Sequence, residues 1–206
     1  MKRRDFITAS LASAAALAAT RFGGEAHAAG RQQAPAKSGG RRFRLNYAPS
    51  FGQFKAHAGT DLAAQIQFAA DEGFTAMFDN GLMGRPPADQ DLIVREIQKR
   101  NMTLGPFVLL ADFNNRNFVT RDTEVRAALL QKMRDGIETM KRTGVSQALV
   151  VPGRFDESLA WEYQTANVVE NLRACMDLCQ PAGLVLVLEP LNPKNHPGLF
   201  LSRIPQ

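Results

Sequence analysis

Between residues 43 and 206, short apolar runs alternate with longer stretches whose apolar positions recur every three or four residues, a pattern that predicts five strands separated by helices. Phe43–Ala48 reads as the first strand, with Phe43, Leu45 and Tyr47 on one side. Asp61–Glu72 follows as an amphipathic helix, with Thr60 as its N-cap and Gly73 placed to end it in a left-handed conformation. Phe74–Asp79 is the second strand, and Ala88–Arg100 the next helix, entered after Pro86-Pro87. Met102–Leu110 is almost unbroken in its apolar character, as a strand buried on both faces should be. Thr123–Thr143 is a long helix with Val125, Leu129, Met133, Ile137 and Met140 at helical spacing, closed by Gly144. Gln147–Val151 is the fourth strand, a helix runs from about Trp161 to Cys179, and Leu184–Leu188 is the fifth strand.

Repeated strand–helix units imply a parallel sheet, because each crossover returns the chain to the same edge. Both a doubly wound open sheet and a β/α barrel satisfy that rule. The loop after the first strand, Pro49-Ser-Phe-Gly-Gln-Phe-Lys55, has neither a dinucleotide-binding glycine fingerprint nor a phosphate-binding loop, which takes support from the open sheet. In a barrel, functional groups stand at the C-terminal ends of the strands. Those ends read Asn46/Tyr47, Asp79-Asn80, Asp112/Asn114, Gly153/Arg154 and Glu189, a polar group at each. Glu189 stands out, since a wholly apolar strand delivers it into the polar loop Pro190-Leu-Asn-Pro-Lys-Asn-His-Pro-Gly198. Asn192 and His196 in that loop, and Asp79 at the end of the second strand, are placed to contact a substrate, although loop packing or turn capping accounts for each equally well. Glu189 has its own plain alternative, a salt bridge at the rim of a barrel.

Several segments together resemble the hydroxypyruvate isomerase-like branch of the xylose isomerase-like barrel family. They are Leu45-Asn-Tyr-Ala48, Ala69-Ala-Asp-Glu-Gly-Phe-Thr-Ala-Met-Phe78, Val150-Val-Pro-Gly153, Asn167-Val-Val-Glu-Asn-Leu-Arg173 and the strand ending in Glu189-Pro-Leu-Asn192. The resemblance covers residues 43–206 and rests on the order and spacing of these segments, not on any one of them. It implies a partial (β/α)8 TIM barrel with about five of eight units. It also implies an isomerase or epimerase that moves a proton between neighbouring carbons of hydroxypyruvate or a small sugar through an enediolate. On that resemblance Glu189 is a metal ligand as well as an acid/base carboxylate, and the metal is Mg²⁺ or Mn²⁺. The relatives draw further ligands, an Asp, a His and a final Glu, from strands after the fifth, and a barrel needs eight strands over about 250 residues. The 206-residue chain is therefore expected to be an incomplete, inactive part of such an enzyme. An exported carbohydrate-binding protein without catalysis is the alternative from a different class. The phosphodiesterase chemistry of the related apurinic endonucleases would require a histidine-rich zinc site, and the sequence offers only His27, His57 and His196.

The amino terminus changes where such a protein would work. Met1-Lys-Arg-Arg-Asp-Phe-Ile-Thr8, a small apolar stretch at residues 9–19 and Ala26-His-Ala28 form a twin-arginine export signal with its cleavage site, so residues 1–28 read as a removable signal and the protein as periplasmic. The apolar stretch is too short to anchor the chain in a membrane, which takes roughly 20 residues. Residues 29–42 read as a flexible linker. Loss of residues 1–28 lowers the net charge from +5 to +3, and Arg41, Arg42 and Arg44 lack interleaved aromatics, so no nucleic-acid partner is expected. Cys175 and Cys179 fall four apart on one helix face, where a disulfide would be strained, and read as packing residues. A small sugar or hydroxy-carbonyl compound is the expected partner.

Overall fold

The computed structural model describes residues 42–204. The proposed signal at residues 1–28 and nearly all of the linker lie outside the described residues. Within them the order is α1 (Lys55–Ala58), α2 (Leu62–Asp71), β1 (Ala76–Met77), a 3-10 turn (Leu82–Gly84), α3 (Pro87–Lys99), β2 (Thr103–Leu104), β3 (Phe107–Ala111), α4 (Thr123–Thr143), β4 (Gln147–Val151), α5 (Trp161–Ala182) and β5 (Val185–Leu188). Every strand pairing is parallel. β1 pairs with β2, while β3, β4 and β5 form a second sheet in that order, with β4 at its centre. Strand followed by helix, in parallel register, is the β/α arrangement that the apolar pattern implied.

The long helices start and stop where local chemistry dictates. Asp122 caps α4 by accepting from the N–H groups of Glu124 (2.8 Å) and Val125 (3.1 Å), and Gly144 closes it with φ 75°. Leu129, Met133 and Gly136 face the sheet. At Gly136 a Cβ would stand 2.5 Å from Leu109 Cδ1, so this helix position must lack a side chain for β3 to seat beneath it. α5 buries Val168, Cys175 and Cys179 on one face, and both thiols are free and fully buried. Burial, with the neighbouring Cys179 next in weight, pushes the Cys175 thiol up to about 12, so it stays a packing group.

Five expectations need correction. Residues 43–48 do not form a strand: the segment is tied beside β1 by Phe43 N–H to Gly73 O and, just beyond it, by Phe78 N–H to Pro49 O, both 3.0 Å, with a single bridge between Ser50 and Phe78. A strand exists only where a neighbour supplies a continuous ladder, and two tethers do not make one. The run 102–110 is two strands, because Gly105-Pro106 interrupts it and Pro106 has no N–H to give a ladder. Nor is β3 buried on both faces, since Phe107 and Leu109 are buried while Val108 and Leu110 are half-buried. The N-cap of α2 is Asp61 instead of Thr60, its carboxylate accepting from Ala64 N–H at 2.7 Å. α5 continues past Cys179 through Pro181, and Gly183 in the left-handed region terminates it.

Candidate functional site

The C-terminal ends of β3, β4 and β5 lie side by side, and the loops that leave them are joined by backbone hydrogen bonds. Glu189 N–H donates to Val150 O at 3.0 Å, carrying the β4–β5 ladder one residue past the strand. Its side chain is half-buried and makes no hydrogen bond or ion pair among the described residues. The chain then makes a closed excursion whose neck is Leu191 N–H to Leu201 O at 3.2 Å. Inside it Asn192 holds the turn, its Oδ1 accepting from Asn195 N–H (3.0 Å) and its carbonyl accepting from His196 N–H (3.0 Å). His196 stacks on Phe113, which follows β3, with ring centroids 5.2 Å apart. Glu189 thus lies just before the excursion that carries Asn192 and His196, and Phe113 from the loop after β3 meets that excursion at His196.

Asp79 is engaged elsewhere. It is 4% exposed, and its oxygens accept from Gly81 N–H (3.1 Å), Arg85 Nε (2.5 Å) and Arg85 Nη2 (3.3 Å). Arg85 in turn lies over the ring of Phe51. No hydrogen bond or ion pair joins Asp79 to Glu189, Asn192 or His196 among the described residues.

The loop after β3 is organised by Asp112. Its carboxylate accepts from Asn114 N–H (2.9 Å), Asn115 N–H (3.1 Å) and Asn115 Nδ2 (2.7 Å). Partial burial favours the neutral acid, yet these hydrogen bonds together outweigh it and hold the carboxyl below its ordinary range. The loop after β4 is charged: Arg116 Nη2 binds Glu157 at 2.9 Å and Arg116 Nη1 lies 3.4 Å from Asp156. Ser158, donating through its hydroxyl and its N–H, keeps Asp156 below the usual carboxylate range. Two buried asparagines of α5, unremarkable in composition, fix the chain between β3 and α4. Asn167 Nδ2 donates to Val119 O (2.8 Å), and Asn171 Nδ2 to Phe118 O (2.8 Å) and Thr120 O (2.9 Å). The repeat of Asn at i and i+4 on the apolar face of a helix was the available sign that backbone carbonyls waited opposite.

The donor set does not fit a divalent cation. Among the described residues no group of three or more His, Cys, Asp and Glu side chains stands close enough to hold one, and Glu189 brings a single carboxylate where such ions take several ligands. One well-defined concavity lies away from Glu189. It is a cleft of about 440 Å³ between the end of β3 and α4, bounded by Asp112, Asn115, Arg116 and Lys132 over Leu110 and Leu129. Among the described residues no helix is long and apolar enough to cross a membrane.

Comparison with known proteins gives this geometry a lineage. The family described as "Xylose isomerase-like TIM barrel" matches residues 66–203. No curated protein matches the chain. Among solved structures, AP endonuclease, family 2, from Brucella melitensis is similar at 21% identity and TM-score 0.56, the match covering 75% of this chain and 58% of that one. D-psicose 3-epimerase with D-tagatose from Clostridium cellulolyticum H10 is similar at 14% identity and TM-score 0.57, covering 77% of this chain and 55% of that one. The IolI protein with a zinc atom is similar at 17% identity and TM-score 0.54, covering 75% of this chain and 54% of that one. At such identities the likeness establishes the fold, and the chain spans little more than half the length of these structures.

Proposed function

We propose, for a chain that belongs to the xylose isomerase-like TIM barrel family, that the whole protein is an isomerase or epimerase of hydroxypyruvate or a small sugar, and that Glu189 moves the proton. The observation that carries this reading is the side chain of Glu189, half-buried at the end of β5 and without an internal partner among the described residues, in the position where barrels of this kind keep their chemistry. A carboxylate committed to structure would be capped or paired, as Asp79 is by Gly81 and Arg85. As general base Glu189 takes the proton from the carbon next to the substrate carbonyl, and the electron pair left behind shifts onto the carbonyl oxygen to give an enediolate. Return of a proton at the neighbouring carbon completes the transfer. Asn192 and His196, on the same loop, would contact the substrate hydroxyls, whereas Asp79, after β1, is taken up by Gly81 and Arg85 and is left out of this proposal.

Dependence on Mg²⁺ or Mn²⁺ belongs to the same proposal for the whole protein. The described residues supply one ligand, so this part of the proposal requires further donors from outside them. Export through the twin-arginine pathway to the periplasm, with cleavage after Ala28, completes the proposal. Changing Arg3 and Arg4 to Lys should leave the uncleaved protein in the cytoplasm.

Exchange of substrate α-protons for solvent deuterium, followed by NMR with hydroxypyruvate and with D-fructose, tests the chemistry. Protein from the complete reading frame should catalyse exchange with Mn²⁺ and lose it in EDTA. Glu189→Gln should slow it by about 10²-fold or more, the usual scale of acid–base catalysis. Equal exchange by the Glu189→Gln protein would overturn the assignment. Binding of sugar that ignores both EDTA and this substitution, without exchange, would identify a carbohydrate-binding protein instead.

A further inference from the structure

We infer that Arg154 is a positioning residue, a fixed platform that holds the Leu191–Leu201 excursion in place and so sets Glu189 and His196; its functional meaning rests on the reading of Glu189 given above. Arg154 follows β4, and the backbone on both sides of it is held from two directions. Its own N–H donates to Asn115 O in the loop after β3 at 3.0 Å. Phe155 N–H donates to Gly198 O (3.0 Å) and Phe200 N–H to Gly153 O (2.9 Å), an antiparallel bridge where every other pairing among the described residues is parallel. The three loops that follow β3, β4 and β5 are therefore one hydrogen-bonded body with Arg154 at its middle.

The side chain adds what backbone bonds alone do not. A Cβ at Gly198 would stand 2.5 Å from Arg154 Nη2, 2.8 Å from Cζ and 3.1 Å from Nη1, so the guanidinium lies against the bare Cα of Gly198. Gly198 has φ +81°, a conformation that also favours glycine. Gly153 is its counterpart, with φ +85° and room for a Cβ only 2.7 Å from Asn115 O. Glu157 steadies the guanidinium, lying 3.7 Å from Arg154 Nη2 while it binds Arg116 from the neighbouring loop at 2.9 Å. A side chain at Gly153 would meet the backbone of Asn115, and one at Gly198 would push the Arg154 guanidinium aside, so the arginine's present position depends on both glycines. The consequence is a preformed excursion directly after Glu189, with His196 held on Phe113 before any ligand arrives.

The test uses the full chain and two readouts that do not depend on catalysis. Trypsin cleavage after the exposed Lys194 measures opening of the excursion, and the NMR shift of the His196 imidazole, assigned with H196Q, measures its stacking on Phe113. Arg154→Ala should speed cleavage at Lys194 roughly tenfold or more, as local unfolding does when a tether is lost. It should also move the His196 signal to the value of an unstacked ring. Gly198→Ala, which keeps the arginine but removes the fit, should do the same, and it serves as the independent variant if Arg154→Ala fails to fold. Unchanged cleavage and an unchanged His196 signal in the folded variants would overturn the inference whatever Glu189 does. Conversely, a mobile loop in Arg154→Ala together with full activity in Glu189→Gln would leave Arg154 as the platform and remove the catalytic reading.

Discussion

β4 and residues 43–48 are both short, apolar and bounded by polar turns, yet Ala148, Val150 and Val151 of β4 are at most 2% exposed while Phe43, Leu45 and Tyr47 are 43%, 63% and 52% exposed. The difference lies in their neighbours. β4 has β3 on one side and β5 on the other, and α4 and α5, on either side of it in the chain, contribute Met133 and Cys175 to the same core. Residues 43–48 are held beside β1 by Phe43 N–H to Gly73 O and by the Thr75 hydroxyl to Asn46 Oδ1 (2.7 Å), and find partial cover from aromatic contacts, Phe43 against Phe74 at 5.0 Å and against Tyr47 at 5.5 Å. β5 stands between these extremes, laddered to β4 but with Val185 51% and Leu188 38% exposed. Apolar alternation states a capacity to form a strand, and the sheet around it decides whether that capacity is used.

The sharpest way to break the comparison is to place the same charge in both regions. Val150→Asp buries an unpaired carboxylate in the centre of the sheet, a cost comparable with the ~5–15 kcal/mol that holds a domain together, so no cooperative unfolding transition should survive in urea. Leu45→Asp is the control and belongs with the surface changes at the end of the scale. Next in size is Gly153→Ala at the exit of β4. It must force both a positive φ and a contact with Asn115 O, and should lower unfolding free energy by about 1–3 kcal/mol, read from the urea midpoint at unchanged slope.

A smaller, pH-dependent effect is expected at Asp112. Its folded carboxyl ionises below the unfolded value of about 3.9, so its contribution is present above that pH and is lost as pH falls through the lower folded value. Asp112→Asn should therefore flatten the acid limb of stability below about pH 5 and leave the neutral plateau with only the loss of the Asn114 and Asn115 bonds. An acid limb identical to that of the native sequence would show that the loop after β3 is not held by an ionised Asp112. The smallest change is Leu45→Asp, expected within about 0.5 kcal/mol. A loss of several kcal/mol there would mean that residues 43–48 are covered in solution.

Much of the fold was legible in the sequence. Thr123–Thr143 and Gln147–Val151 appear with the bounds that their periodicity implied, and Gly144 closes its helix in the left-handed conformation as expected. Those features are local: spacing of apolar residues, a capping carboxylate and a glycine are written in neighbouring positions. Legibility failed where the outcome depended on a residue's role in a distant pairing, as at Gly105-Pro106, which divides one apolar run between two sheets. It failed in a different way at Thr60 and Asp61, where two competent caps stand side by side and one hydrogen bond decides between them.

The candidate site divides along the same line. The sequence by itself determined that an apolar strand ends in Glu189 and that Asn192 and His196 follow within a turn, because those relations span a few residues of one chain segment. Only the tertiary structure decided that Asp79 is absorbed by Arg85, that His196 rests on Phe113 and that Arg154 lies against Gly198. Contacts of that kind join residues that lie from six to more than eighty positions apart in the chain, and they are fixed by how parallel strands stack their ends, which apolar spacing does not encode.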